Sequence, residues 1–375
     1  MTPVLNATLH QRMADLGIDP ADALALFTEA MMAGLDNRSP TVAVYFGGPA
    51  QTPQAAAAVA TLRHHGIFIL PVVPQLAGYK TQVPASLHEV NGTVVPPEDP
   101  ALESVAQRLL EELRLVRAKR LVFITYRRSD TRGVAEQLYR AFDDRSFDVF
   151  LDTHSIRSGF EFQSVLWDQM ADADLLILLD SPAALSSRWV REELARAHAL
   201  CLGILQLVWP GHARSPGTDF CVPFYLEPDD FASGPAPIGE RSELAAASLH
   251  RIMTLAEALR ARSLAARHSR LVGELCQRVS TAGWGIDIQP GYCIDLHRPG
   301  RPTPIRAFPL VGHPDSHQLH QCFDGCGNPP LDGLVVYDPL GMWDKKTLHL
   351  TWLNGYLPLR ALPVTELNAW IASGP

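Results

Sequence analysis

Residue types that could do chemistry gather at four places along the chain. Arg127 and Arg128 stand side by side just past an apolar run, Leu121–Thr125, with Asp130 close behind and Asp152 after the next run. If the run is a strand, both arginines lie at its C-terminal end, where α/β folds place their ligands; they either face a ligand there or pair with Asp130 or Asp152. Glu192 and Glu193 are adjacent carboxylates on a segment with helical spacing, Trp189–Leu200, and taken alone each reads as a helix-surface glutamate. His313, His317, His320, Cys322 and Cys326 crowd into one stretch, and Zn²⁺ is the chemistry such side chains suit. Their spacing from His317, His-x₂-His-x-Cys-x₃-Cys, matches no zinc finger and lies in a Pro/Gly-rich stretch, so it reads as a loop with soft side chains. Gly47-Gly48 follows another apolar run and could cradle a phosphate, but it lacks the Lys-Ser/Thr of a P-loop and reads as a turn.

The elements that must position these groups follow from hydrophobic patterning. Val42–Phe46, the Gly47-Gly48-Pro49 turn, an Ala-rich helix from Gln54 to His64 and the run Ile67–Val73 form a βαβ pattern. A helical pattern at Ala21–Met32 precedes it, and Asp99-Pro100 opens a helix running to about Val116. The βαβ logic repeats with strands Leu121–Thr125, Phe147–Leu151, Leu175–Leu179 and Gly203–Val208. Helices at Gly133–Phe142, Phe162–Met170 and Trp189–Leu200 separate them. Continuous apolar strands between amphipathic helices imply a parallel sheet covered on both faces. Arg241–Thr281 is helical and free of proline. Beyond Gly283 the composition turns to Pro, Gly, His and aromatics. There Leu348–Leu353 and Tyr356–Leu362 alternate around Asn354-Gly355, a two-residue hairpin signal. Trp343, Trp352, Tyr356 and Trp370 read as the packing aromatics of a small module.

At 375 residues the chain suits two or three domains of roughly 100–150 residues. The expected division is an α/β domain over 1–116, a second α/β domain over 117–238, a helical connector over 239–282 and an α+β module over 283–375. Lys+Arg 32 against Asp+Glu 40 leaves a net charge of −8, which argues against direct nucleic-acid binding through phosphates. The six cysteines are scattered, so no disulfide framework is expected. The first residues carry no basic region followed by an apolar one, and no run reaches the ~18 apolar residues of a membrane span. A soluble cytoplasmic protein, with no membrane partner, is the expectation.

The segment Phe123-Ile-Thr-Tyr-Arg-Arg-Ser-Asp130 resembles the first conserved box of TIR (Toll/interleukin-1 receptor) domains. Phe147–Asp152 is similar to the family's second strand, Ile156–Phe162 to its BB loop, Leu175–Pro182 to the third strand with its Ser-Pro exit, and Ser187–Leu194 to the tryptophan-glutamate helix. The likeness covers roughly residues 118–235, about a third of the chain. It implies a flavodoxin-like domain with a parallel sheet. The N-terminal region then reads as a degenerate TIR-like or flavodoxin-like partner, without the Arg-Arg box or the Trp-x₃-Glu helix.

The bacterial type of TIR domain that this chain resembles cleaves NAD⁺ at the nicotinamide–ribose bond. Its catalytic glutamate lies four residues after the helix tryptophan, which here is Glu193 after Trp189. A carboxylate suits an oxocarbenium-like transition state, and neutral nicotinamide leaves without a general acid. The resemblance further assigns substrate binding to Tyr126, Arg127, Arg128, Asp152, Ser158, Gly159, Phe160 and Trp189. The arginines would meet the diphosphate, or one would only pair with Asp130 or Asp152. Trp189 would stack on a ring or pack at an interface, and Asp152 reads equally as a loop-capping acid. Phe160 and Phe162 would anchor the BB loop on a neighbour. No metal and no cofactor are implied, NAD⁺ being the substrate. The implied function is an NAD⁺ glycohydrolase or cyclase, used in anti-phage defence or nucleotide signalling. It would work as a homo-oligomer through TIR–TIR contacts, under an upstream sensor or nucleotide signal. The alternative is a non-catalytic scaffold that assembles TIR domains.

Overall fold

The structure, a computed structural model, describes residues 2–15, 24–28, 31, 41–48, 52–95, 102–113, 115, 117, 119–151, 162–234, 238–289, 293–327 and 329–374. The chain divides into two compact units, Met1–Ala118 and Lys119–Pro375.

In the first unit β1 (Val42–Phe46), β2 (Phe68–Val73) and β3 (Thr93–Val94) form a parallel sheet in that order. Helices α1 (Thr2–Asp15), α2 (Pro53–His64), α3 (Tyr79–Gln82) and α4 (Glu103–Glu112) accompany it. Pro53 opens α2, and the Thr52 hydroxyl accepts the Ala55 N–H at 3.1 Å; together they start the helix where its first N–H groups lack partners. Val59 and Leu62 of α2 then bury against Ile69 and Val73 of β2. The helix expected at Ala21–Met32 is absent from residues 24–28, which are irregular and mostly exposed. The helical segment lies instead at Thr2–Asp15, whose apolar Leu5, Leu9 and Met13 recur at four-residue steps and are buried. The helix expected to reach Val116 stops at Glu112.

The second unit begins with β4 (Leu121–Thr125), α5 (Arg128–Asp143), β5 (Asp148–Leu151), α6 (Phe162–Asp172), β6 (Leu175–Asp180), α7 (Arg188–Ala199), β7 (Gly203–Val208) and β8 (Val222–Tyr225). Its five strands are parallel, in the order β5-β4-β6-β7-β8. Successive side chains of a strand point to opposite faces, and here both faces are core. Val122 and Ile124 join Leu175, Ile177 and Leu179 under α5, while Leu121 and Phe123 join Leu176 and Leu178 under α6 and α7. This is the doubly covered, flavodoxin-like α/β arrangement that the apolar runs imply.

Helix α8 (Ala246–Thr281), 36 residues and about 54 Å long, serves two cores. Ile252, Met253, Ala256 and Leu259 pack with α5 on the first sheet. Leu271, Leu275 and Val279 pack on a second sheet of β9 (Gly285–Gln289), β10 (Cys293–His297), β11 (Ile305–Leu310), β12 (Asp332–Tyr337) and β13 (Leu359–Pro363). Its order is β13-β12-β11-β10-β9, parallel across β11–β13 and antiparallel across β9–β11. Helices α9 (Ser316–Asp324), α10 (Asp344–Leu353) and α11 (Leu367–Ala372) complete it. The hairpin expected at Asn354-Gly355 does not form: Leu348–Leu353 is the end of α10, and β13 pairs with β12. The Asn354 side chain bonds the Ala361 N–H (2.7 Å) and C=O (2.8 Å), so the residue turns a helix into a strand rather than a strand into its neighbour.

The middle of α8 is fixed by a buried ion pair. Arg260 Nε donates to Asp174 Oδ2 at 2.7 Å with both side chains inaccessible, and Nη2 donates to the Lys119 carbonyl at 3.0 Å. A second joint uses α6. Asp168 accepts from the Trp343 N–H (3.1 Å) and Lys346 Nζ (2.6 Å) and lies 3.3 Å from the His313 ring, and Asp172 accepts from the His313 N–H at 3.0 Å. Burial alone would push the Asp168 carboxyl up; the bonds from His313, Lys346 and Trp343 prevail and hold it below its usual range.

Breaking the first joint should be costly. Arg260→Met leaves a buried carboxylate without its counter-charge and lowers the unfolding free energy by about 3–5 kcal/mol, read from denaturant melts; adding Asp174→Asn recovers most of it. A pH effect resides on the same helix. Burial pushes the His268 imidazole down from 6.5 to about 4, so the unfolded chain takes a proton that the folded chain refuses. Stability therefore falls as pH drops from about 6.5 towards 4, and melts of His268→Leu over that range should show a flatter profile.

Candidate functional site

In an open parallel sheet a ligand crevice forms outside the carboxyl ends of the strands, where the strand order reverses direction. Here the chain runs from β4 outward to β5, then returns to place β6 on the other flank of β4, so the reversal lies between β4 and β6. The residues that leave those two strands are Thr125, Tyr126 and Arg127 on one side and Asp180 and Ser181 on the other. The expected Arg-Arg pair therefore stands at the crevice.

The two arginines take different roles. Arg127 Nη1 donates to the Ala183 carbonyl (3.1 Å) and the Ser186 hydroxyl (3.0 Å), stitching the end of β4 to the loop after β6. Arg128 is exposed and, with Tyr126, Ser129, Arg132 and Glu240, lines a pocket of about 330 Å³. Asp130 accepts from the Ser181 hydroxyl at 2.9 Å and from Ser129, so it joins the same two strand ends without pairing with Arg127. The pocket wall depends on a close approach at Gly133. Its N–H donates to the Glu240 carbonyl at 2.7 Å, and a side-chain carbon there would lie 2.5 Å from the Ser242 carbonyl oxygen. Only glycine lets α5 approach residues 240–242 this closely and so places Glu240 beside Arg128 and Arg132.

Helix α7 supplies the carboxylates. Glu193 is buried, 4% exposed, and its Oε2 accepts the hydroxyl hydrogen of Thr125, the last residue of β4. Glu192 points outward and pairs with Arg188 at 2.6 Å. Of two adjacent glutamates, the helix thus turns Glu193 inward to the strand end. Trp189, one turn earlier, is 49% exposed, so it is not a core residue of the chain. Below the crevice Asp180 is fully buried and accepts from Gln206 Nε2 (2.6 Å), the Ser215 N–H (3.1 Å) and the Ser215 hydroxyl (2.7 Å). This network fixes the end of β6 to the 209–221 loop.

The structure brings together Tyr126, Arg127, Arg128 and Glu193 around the ends of β4 and β6, with Trp189, half-exposed, one turn before Glu193 on α7. Asp152, Ser158, Gly159 and Phe160 lie outside the described residues. Sequence reasoning did not single out Thr125, Ser181 or Ser186. Thr125 had a usable signal, being the polar residue that closes an apolar strand, but its partner is 68 residues away.

The other candidates resolve into structure. His313 lies against Asp168, His320 pairs with Asp324 on the surface at 3.4 Å, and Cys326 Sγ donates to the Cys322 carbonyl at 3.4 Å. Burial pushes the Cys326 thiol up, which keeps it protonated. Among the described residues no three His, Cys, Asp or Glu side chains gather as metal ligands. Gly47 and Gly48 give their N–H groups to the Val72 and Gln82 carbonyls at 2.7 and 3.2 Å, as a structural turn does. No described helix is long and apolar enough to cross a membrane.

No curated protein matches the chain. Strands β4 to β7, the reversal between β4 and β6 and the helix that carries Glu193 all fall within, or directly adjoin, the stretch that a family model recognises. Residues 122–210 match the model of the TIR domain, and this part of the chain is a TIR domain.

Proposed function

We propose that the TIR domain cleaves NAD⁺ at the nicotinamide–ribose bond, with Glu193 as the catalytic carboxylate. The observation that carries this reading is the position of Glu193: buried on α7, against Thr125 at the end of β4, where the sheet's ligand crevice lies. A carboxylate held away from bulk water acts more strongly on developing positive charge than one in solvent. As the N-glycosidic bond lengthens, the ribose becomes oxocarbenium-like and the pyridinium leaves as neutral nicotinamide. Glu193 then stabilises the cationic sugar and orients its hydroxyls, and no proton donor is needed for departure. Thr125 acts through Glu193, as the hydroxyl that holds the carboxylate. Arg128 and Arg132, exposed beside Tyr126, suit the diphosphate. Water as acceptor gives hydrolysis, and an internal hydroxyl gives a cyclic product.

Self-association belongs to the same proposal. The half-exposed Trp189 is a large aromatic at the edge of the crevice, and a second TIR domain would cover it. The BB-loop residues Ser158, Gly159 and Phe160 are proposed to contribute to that contact. A role in phage defence or nucleotide signalling, inside the cytoplasm, is the biological setting that this chemistry suits.

Purified protein should consume NAD⁺ with a specific activity that rises with protein concentration or a crowding agent. Glu193→Ala should lower turnover by about a hundredfold or more; activity that survives it removes Glu193 from the mechanism. Thr125→Val should lower kcat by about tenfold with little change in KM, because it loosens the carboxylate and not the substrate. Absence of turnover at every concentration would favour the scaffold, in which TIR–TIR assembly is the whole function. Phe160→Asp should weaken self-association in sedimentation and activity together; if both are unchanged, the loop is not the contact.

A further inference from the structure

The C-terminal sheet holds a second cavity, of about 680 Å³, at the amino ends of β11, β12 and β13. Its wall includes Arg298, Arg301, Arg360, Asp332, Asn354 and Trp370. Three guanidinium groups face one carboxylate there, in a chain whose net charge is −8.

The arginines are held close by a rigid turn. In Arg298-Pro299-Gly300-Arg301 the Arg301 N–H donates to the Arg298 carbonyl at 3.1 Å, and Gly300 adopts φ +81. Proline in the second position and a left-handed glycine in the third define a type II turn, which keeps its end residues within about 7 Å. Two cations pinned that near repel each other, which a shared anion relieves. Asp332 pairs with Arg301. Arg298 donates to the Gly374 carbonyl at 2.6 Å. Arg360 is exposed at the cavity, with no ion pair or hydrogen bond among the described residues. The amide of Asn354 is engaged by Ala361, so the polar recognition in the cavity rests with the arginines. Trp370, nearly buried, gives the opposite wall an apolar face.

We propose that this cavity binds a small phosphorylated ligand carrying at least two negative charges. The guanidinium fork matches phosphate oxygens bidentately, and one dianion can be shared by forks that converge from the turn and from β13. The volume lies in the range of small-molecule sites, and Trp370 offers a surface for an apolar or planar remainder of the ligand. The site stands apart from the TIR crevice and does not depend on NAD⁺ cleavage.

Calorimetric titration of the full chain with inorganic pyrophosphate tests the assignment, with succinate as the carboxylate comparison. Saturable pyrophosphate binding is expected, weakened about tenfold or more by Arg360→Gln and by Arg298→Gln. It should be unchanged by Arg140→Gln, an exposed arginine of α5 that lines neither cavity. Arg360→Gln removes a group without partners, so its melting temperature should equal that of the parent. Four results would overturn the proposal: no saturable binding at millimolar pyrophosphate, binding unaltered in both cavity variants, binding weakened equally by Arg140→Gln, or succinate bound as tightly.

Discussion

Asp174 and Arg260 meet where no water reaches either, and much of the second unit is arranged to keep them together. A buried charge is costly unless its counter-charge is in place. Meeting that condition fixes the middle of α8 against the start of β6, with Arg260 also bonded to the Lys119 carbonyl. Because α8 is one uninterrupted helix, fixing its middle fixes both its ends. The first half closes a face of the TIR sheet, and the second half forms the floor of the C-terminal sheet. Asp168 and Asp172 add a second joint between α6 and residues 313–346. The TIR fold and the C-terminal sheet are therefore one cooperative body.

A parallel sheet buried on both faces leaves little of itself accessible except the ends of its strands. That constraint concentrates chemistry where β4 and β6 part. The polar groups there serve two purposes at once. Arg127, Asp130, Ser181 and Asp180 tie loops to strand ends, which makes the crevice rigid. Arg128 and Tyr126 line a pocket on that frame, and Glu193 is buried against Thr125 at the end of β4. Preorganisation of this kind is what electrostatic stabilisation of a transition state requires, since dipoles that must first reorient stabilise little.

The net charge of −8 says little about either cavity. An anion entering a pocket responds to charges within about a Debye length, roughly 10 Å, and to how well solvent screens them. Arg128 with Arg132, and Arg298 with Arg301 and Arg360, are local groups of cations on an acidic chain. The second group is the more constrained, because a turn of proline and glycine leaves its arginines little freedom to separate.

Local pattern determined a great deal. Strands buried on both faces must be continuously apolar, so Leu121–Thr125, Leu175–Leu179 and Gly203–Val208 announced the parallel sheet and the place of the Arg-Arg pair. The pattern failed where the deciding contacts were remote. Leu348–Leu353 alternates like a strand, yet it is helical because Asn354 engages Ala361 and β13 already has β12 as its neighbour. The resemblance to TIR domains ranked Glu193 above Glu192. That Glu193 is the buried one follows from the angular position of α7 over the sheet, and that Thr125 holds it follows from strand order. Likewise Arg-Pro-Gly-Arg is legible as a turn from four adjacent residues, whereas Arg360 joins it only because β13 lies in register with β12. Periodicity and turn chemistry are local properties and can be read along the chain. Partners 50–150 residues apart are chosen by how whole elements pack, and only the tertiary structure decides that.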